Sequence, residues 1–118
     1  MTPFQFYPVG PAGEGERQIV VPTQLETKTA LFAFLRQALP LPDYFGDNWD
    51  ALDESLGELA QGTSGKTILM HPDIPLAGMP DEQRIYLQVL ADAIRSGPHL
   101  VVHFPAESRV VVDKLMPE

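Results

Sequence analysis

The sequence has 118 residues, the length of a single domain, and it contains no cysteine, which excludes disulfide frameworks and thiolate metal sites. Its 16 acidic residues outnumber the 8 basic ones, and a formal net charge of −8 argues against binding to nucleic acid or to anionic membranes. No apolar run approaches the roughly 20 residues that span a bilayer, and the N-terminus lacks the basic region of a signal peptide. We therefore expect a cytoplasmic protein, monomeric when free, with basic partners.

The first half of the chain predicts one strand and two helices. Residues 18–21 are rich in β-branched side chains and end at Pro22, which is typical of a strand. Thr29 is the expected N-cap of a helix over residues 30–39, where apolar side chains recur at helical spacing. A second helix is expected over residues 48–61, because a glycine-containing segment follows it.

The second half predicts two strands separated by one helix. Residues 67–70 and 100–104 are the strands, and the second of these is apolar enough to be central in a sheet. The helix between them covers residues 81–95, with acidic residues in its first turn. Strands alternating with helices require crossover connections, so we expect an α/β fold with a three-stranded parallel sheet packed by helices. Residues 4–7 and the tail at 110–112 are compatible with extra edge strands.

Two motifs that resemble chemical sites have a simpler structural explanation. Residues 60–67 end in Gly-Lys-Thr like a phosphate-binding loop, but such a loop lies after a strand and before a helix, whereas here a helix precedes and a strand follows. The histidines His71, His99 and His103 lack the short spacing of a metal pair, and no serine has the setting of a nucleophile. The sequence thus predicts no catalytic residue, no metal site and no cofactor.

The helix over residues 48–61 carries an apolar stripe and an acidic stripe. At about 100° per residue, the apolar stripe consists of Trp49, Leu52, Leu56 and Leu59. The opposite stripe, with Asp53 to one side, consists of Asp47, Asp50, Glu54 and Glu58. No lysine or arginine occurs from Asp43 through Gly65, so the like charges are not compensated along the helix.

Three interpretations of the acidic stripe are open on the residue pattern. A solvated helix face is the commonest explanation of such a pattern. The uncompensated charge also indicates a face made for a cationic partner. A metal-assisted hydrolytic site among Asp47, Asp50 and Glu54 is the weakest of the three, because residues 43–54 lack the alternating oxygen ligands and central glycine of a calcium loop.

Residues 41–56 are similar to the hallmark segment of the barstar family, in which Leu-Pro-acid-aromatic-aromatic-Gly-acid-Asn leads into an Asp-Ala-Leu helix. Here the segment begins Leu-Pro-Asp-Tyr-Phe-Gly-Asp-Asn-Trp-Asp-Ala-Leu. The resemblance covers residues 17–105, with residues 1–16 as an N-terminal extension and 106–118 as a tail of the same single domain. It implies a barstar-like three-stranded parallel sheet packed by helices, which agrees with the α/β fold expected from the pattern of elements.

The resemblance implies a non-enzymatic inhibitor or immunity protein that occludes the active site of a basic ribonuclease with an acidic loop and helix. In that family, acidic side chains take the place of RNA phosphates against basic residues of the enzyme. Tyr44 is then expected to pack on the enzyme, Asp50 to pair with a basic side chain, and Glu54 to occupy the position of the family's central aspartate. The expected partner-binding residues are Asp43, Tyr44, Phe45, Gly46, Asp47, Asn48, Asp50, Asp53, Glu54 and Asp92.

Two of these residues depart from the family pattern. Glu54 is one methylene longer than the usual aspartate, which changes its fit to a bidentate arginine. Asp53 replaces an aromatic residue that supplies apolar contact in the family. With these two positions altered, a different nuclease or toxin is also a candidate target, and the alternative function is an acidic interaction module or antitoxin for another basic partner.

Overall fold

The computed structural model describes residues 3–6, 13–39, 48–62 and 65–116. These ranges contain three strands and four α-helices, which confirms the expected α/β class. In chain order the elements are β1 (Glu16–Val20), α1 (Lys28–Ala38), α2 (Trp49–Gln61), β2 (Lys66–Met70), α3 (Pro80–Ser96), β3 (Leu100–His103), a 3-10 turn (Ala106–Ser108) and α4 (Arg109–Leu115). None of the described helices is long and apolar enough to cross a membrane.

The three strands form a wholly parallel sheet, as expected, and their order in the sheet is β1-β2-β3. Ile19 of β1 pairs with Leu69 of β2, and Leu69 pairs on its other side with Val102 of β3. The central strand is therefore β2, and the prediction that β3 is central is wrong. Strands of a parallel sheet are apolar wherever helices pack on them, so apolar content does not distinguish these two.

The N-terminal segment adds one bridge to the sheet rather than a strand. The Gln5 N–H donates to the Val102 carbonyl at 2.9 Å, and the Phe104 N–H donates to the Gln5 carbonyl at 2.9 Å. Phe4 is buried, with its ring edge-on to Phe104 at a centroid distance of 5.2 Å. Within residues 3–6 the expected edge strand is thus reduced to one paired residue, which covers the outer edge of β3.

The tail forms a helix, so the expectation of an extra edge strand at residues 110–112 is wrong. Pro105 is followed by the 3-10 turn, which leads directly into α4. Val112 is fully buried and Leu115 packs against the core, whereas Val110 and Val111 are exposed. A spacing of three residues between the inward-facing side chains is helical, and the tertiary contacts outweigh the strand preference of three consecutive valines.

Helix α1 begins two residues earlier than the sequence pattern predicts. Thr27, rather than Thr29, is its N-cap, because the Thr27 hydroxyl accepts the Ala30 N–H at 3.1 Å. With the helix beginning at this point, Leu31 and Leu35 face the core and are fully buried. Phe32 is buried as well, and it lies against the start of α2.

Helices α2 and α3 lie side by side and run in the same direction. Trp49 at the start of α2 contacts Glu82 near the start of α3. Near the far ends, the Ala60 carbonyl of α2 accepts the His99 N–H at 2.9 Å, just after α3 ends. Gly97 makes this approach possible, because a Cβ there would lie 2.3 Å from the Ala60 oxygen.

A buried His71–Tyr86 pair connects the end of β2 to α3. His71 Nδ1 lies 3.2 Å from the His103 carbonyl, which only accepts, so Nδ1 carries the proton and donates. The Tyr86 hydroxyl then donates to His71 Nε2 at 2.6 Å. Burial lowers the pKa of His71 from 6.5 to about 4, against hydrogen bonds to backbone that raise it. The histidine is therefore neutral at physiological pH.

We expect protonation of His71 to contribute to acid unfolding. The folded state binds fewer protons than the unfolded state between pH 6.5 and about 4, because the folded pKa is the lower one. The stability from this group is intact above that range and is lost as pH falls, by about 1.4 kcal/mol per pH unit within it. Denaturant unfolding of the wild type and of His71→Gln from pH 7 to pH 4 measures this slope.

The His71→Gln variant has no group that titrates at this position, so its free energy of unfolding should depend less on pH. Tyr86→Phe is the control: it keeps the titrating histidine but leaves the buried His71 Nε2 without its donor, at a cost of about 1–3 kcal/mol at pH 7. Equal slopes for the wild type and His71→Gln would contradict the prediction.

Candidate functional site

The first turn of α2 is defined by a side-chain cap. Asn48 has extended backbone angles, and its Oδ1 accepts the Ala51 N–H at 2.8 Å. Asp50 lies in the first turn, where the positive end of the helix dipole stabilises a carboxylate. Asn48 therefore fixes where α2 begins, and Asp50 is exposed one residue into the helix.

Trp49, the first residue of α2, is held by both neighbouring helices. Its indole Nε1–H donates to Glu82 Oε2 of α3 at 2.7 Å. Its ring meets Phe32 of α1 edge-on at 5.0 Å and lies 6.3 Å from the ring of Tyr86. Lys28 Nζ lies 5.6 Å from the Trp49 ring centroid, within the range of a cation–π interaction. Trp49 is thus an interhelical anchor as well as a partly buried core residue.

The exposed sides of α2 and α3 together form a continuous acidic surface, which we define as Asp50, Asp53, Glu54 and Asp92. All four side chains are exposed, while Leu52 between them is fully buried. The pKa of Asp53 is raised, first because the surrounding protein partly removes water from it, and then because of the charges of Asp92 and Asp50. The structure therefore brings Asp53 of α2 within electrostatic range of Asp92 of α3.

Within the acidic surface, Asp92 differs from the three acids of α2. Gln88 Nε2 donates to Asp92 Oδ1 at 3.0 Å, and Arg95 Nη1 lies 3.8 Å from the same oxygen. Asp50, Asp53 and Glu54 take part in no salt bridge with any residue that the structure describes. Asp92 is therefore oriented within its own helix, and the acids of α2 are left to solvent or to a partner.

Five of the predicted partner-binding residues lie outside the described residues. These are Asp43, Tyr44, Phe45, Gly46 and Asp47. The structure gathers Asp50, Asp53, Glu54 and Asp92 on one surface, and it gives Asn48 the role of helix cap. Glu58 is also exposed on α2, two turns beyond Asp50.

Glu82 is the residue of this region that the sequence pattern did not single out. It appears in the sequence as one of two acids at the start of a helix, a position that the helix dipole alone explains. The available signal was Trp49, because a tryptophan on a packed stripe needs an acceptor for its N–H. The sequence does not say which acceptor, since Trp49 and Glu82 are 33 residues apart.

Among the residues that the structure describes, no group of three or more histidine, aspartate and glutamate side chains is arranged to hold a metal ion. A cleft of about 290 Å³ at the start of α3 is lined by Met79, Pro80, Asp81 and Glu82, and two others lie away from α3. One, of about 240 Å³, lies between residues 23–26 and 73–77, at the carboxyl ends of β1 and β2.

Comparison with known proteins gives one match. The family model for barstar, described as barnase inhibitor, matches residues 19–107, which is about three quarters of the chain and includes all of α2 and α3. No curated protein and no solved structure matches the chain.

Replacing Asp53 by Asn is expected to raise the free energy of unfolding at pH 7 by about 0.5 kcal/mol, the scale of a like-charge contact on helices. Because the folded pKa of Asp53 is raised, its charged form is disfavoured in the folded state, and the wild type loses stability as pH rises through the carboxylate range. The difference in free energy of unfolding between Asp53→Asn and the wild type should therefore vanish at pH 3, where the carboxyl group is protonated in both the folded and the unfolded protein. Urea denaturation at the two pH values measures it.

A double-mutant cycle provides the control for this prediction. In an Asp92→Asn background the gain from Asp53→Asn should shrink, because one of the repelling charges is already gone. Equal gains in both backgrounds would show that the two carboxylates do not interact.

Proposed function

The chain belongs to the barstar family, and from that premise we propose that it inhibits a basic ribonuclease by laying its acidic surface over the enzyme's active site. Proteins of this family are inhibitors rather than enzymes. The observation that carries the proposal is that four carboxylates, contributed by two helices, share one exposed surface while three of them have no salt bridge among the described residues. An active site that binds RNA phosphates offers the complementary charge.

The electrostatics of Asp53 support a cationic partner. Repulsion from Asp92 and Asp50 contributes to its raised pKa, so these charges destabilise one another in the free protein. A positive side chain placed among them relieves the repulsion and gains attraction to each carboxylate. Binding of a basic partner therefore removes the repulsion present in the free protein. The same cluster of negative charges disfavours neutral or acidic partners.

The proposed mechanism requires no bond to form or break. Asp50 and Glu54 lie one helical turn apart on α2, so their carboxylates lie on the same side of the helix and can face two basic groups of the enzyme. Carboxylates match the planar fork of arginine in the same bidentate manner as a phosphate does. The inhibitor thus occupies the phosphate positions and excludes the RNA.

The residues that depart from the family pattern favour a target with an extra basic group. Asp53 stands where the family has an aromatic side chain, and here it lies beside Asp92, so apolar contact is replaced by charge. We propose that the enzyme carries a lysine or arginine opposite this pair. A basic toxin other than a ribonuclease is the second candidate, and the same pair favours it.

The setting that we propose is the cytoplasm of the producing cell, where a monomeric inhibitor protects that cell from its own ribonuclease. Residues 17–105 form the family core in this proposal. The extension and the tail belong to the same domain, since Gln5 pairs with β3 and Val112 is buried.

Truncation of the α2 acids should weaken binding. Asp50→Ala and Glu54→Ala are each expected to cost about 2–5 kcal/mol of binding free energy, the range for one partner of a desolvated charge pair. Calorimetry and an RNA-cleavage assay with purified barnase measure affinity and inhibition together. Asp113→Ala, which removes one exposed charge on α4, is the matched control and should leave affinity nearly unchanged. If the α2 variants bind as tightly as this control, the acidic surface is not the binding surface.

Salt should act mainly on the association rate. Exposed charges steer the two proteins together and are screened over about 10 Å at 0.1 M salt, so the association rate constant should fall steeply between 0.05 and 0.5 M NaCl. Stopped-flow association traces measure this. Rates that do not change with salt would point to an apolar interface instead.

A further inference from the structure

Trp49 joins the first turn of α2, where the acidic surface begins, to the first turn of α3. It is the first residue of α2, next to Asp50 and four residues before Asp53. Its only polar atom, the indole nitrogen, donates to Glu82 Oε2 at 2.7 Å. The hydrogen bond joins two helix N-termini that are distant in sequence.

We propose that Glu82 is a positioning residue for the acidic surface: through Trp49 it holds the first turn of α2 against α3, so that the α2 carboxylates lie beside Asp92. Glu82 itself is not a partner-binding residue in this scheme. The consequence for inhibition rests on the proposed function, whereas the effect on the free protein does not.

The hydrogen bond has the properties of a strong one. Its acceptor is a carboxylate, its length is 2.7 Å, and both residues are partly buried. Glu82 lies in the first turn of α3, where a negative side chain interacts favourably with the helix dipole. The neighbouring Asp81 is almost fully exposed, with a side chain 97% accessible, so the two acids of this turn have different surroundings.

Helix α2 contacts α3 at both of its ends, and the Trp49–Glu82 hydrogen bond is the polar contact at the end where the acids lie. At the far end, the Ala60 carbonyl is held by the His99 N–H, and Gly57 lies against Ser96 of α3. Asp53 lies between these contacts and Trp49. Leu52 and Leu56 hold the middle of α2 in the core, so the contact of its first turn with α3 depends on the side chain of Trp49. The Trp49–Glu82 hydrogen bond therefore holds that turn against α3.

Helix α1 supports the same anchor from the opposite side. Lys28 Nζ lies 5.6 Å from the ring centroid of Trp49 and 5.7 Å from that of Phe32. Phe32 is fully buried and meets the indole edge-on. The ring of Trp49 is therefore confined between α1 and α3, and Glu82 sets the direction of its N–H.

The test compares Glu82→Gln with Glu82→Leu. Both remove one negative charge, but only glutamine keeps an oxygen that accepts the indole N–H, so any difference between them isolates the hydrogen bond. Two readouts use the free protein: NMR titration of the Asp53 carboxyl group, and fluorescence of Trp49, the sole tryptophan. We expect Glu82→Leu to lower the pKa of Asp53 toward the ordinary aspartate value and to shift the emission to the red. Glu82→Gln should resemble the wild type in both.

Trp49→Phe keeps a ring in the site and loses the N–H, and thus tests the same bond from its other side. Its Asp53 titration should follow that of Glu82→Leu, and circular dichroism checks that each variant is folded. If Glu82→Leu does not fold, the titration of Trp49→Phe decides. The proposal is overturned if the Asp53 titration is the same in the wild type and in a folded variant that lacks the bond.

Binding to purified barnase then connects the positioning role to inhibition. Glu82→Leu should raise the dissociation constant about tenfold relative to Glu82→Gln, mainly through faster dissociation. Asp81→Asn, which removes a charge from the same helical turn, should behave like Glu82→Gln. Equal affinities of the two Glu82 variants overturn the role in binding. A wild type that does not bind barnase counts against the proposed function for this enzyme, while the Asp53 titration still decides whether Glu82 positions α2.

Discussion

Parallel strands constrain the helices that connect them, and this constraint creates the acidic surface. Helix α2 leads into β2 and α3 leads into β3, so each brings the chain back to the starting edge of the sheet and both run opposite to the strands. They are therefore parallel to each other. Gly97 lets them approach closely at one end, and the Trp49–Glu82 hydrogen bond joins them at the other. Carboxylates of two separate crossovers become neighbours as a result.

The acidic surface lowers the stability of the fold, because it places like charges close together. The pKa of Asp53 is raised first by partial loss of water around its carboxyl group, and then by the like charges of Asp92 on α3 and Asp50 on α2. The two adjacent helix N-termini offset part of this cost, since Asp50, Asp81 and Glu82 all lie in first turns. Departures from the most stable arrangement are expected at functional sites, and here they coincide with the helix that the proposed function requires.

The core beneath the surface contains polar groups that specify its geometry. Tyr86 donates to His71 and also lies against Trp49, so the end of β2, the middle of α3 and the start of α2 meet around one ring. Such contacts restrict how the helices can rotate, which purely apolar packing does less strictly. The position of the acidic surface thus depends on buried groups that carry no net charge.

The sequence by itself determined the features that depend on neighbouring residues. Helical spacing and the glycine-containing segment after it predicted the extent of α2 and its acidic stripe, and the alternation of strands and helices predicted a parallel sheet. The segment around residues 41–56 indicated the family. These features arise from periodicity and connection geometry, which operate within a few residues or follow from the order of elements.

Tertiary structure decided the rest. It placed β2 in the centre, made a helix of the valine-rich tail, chose Thr27 over Thr29 as a cap, and supplied Glu82 as the acceptor for Trp49. It also brought Asp53 into range of Asp92, 39 positions away in the sequence. Local preferences for these alternatives differ by a kcal/mol or so, an amount that packing readily outweighs. Contacts between distant residues exist only once the helices have docked.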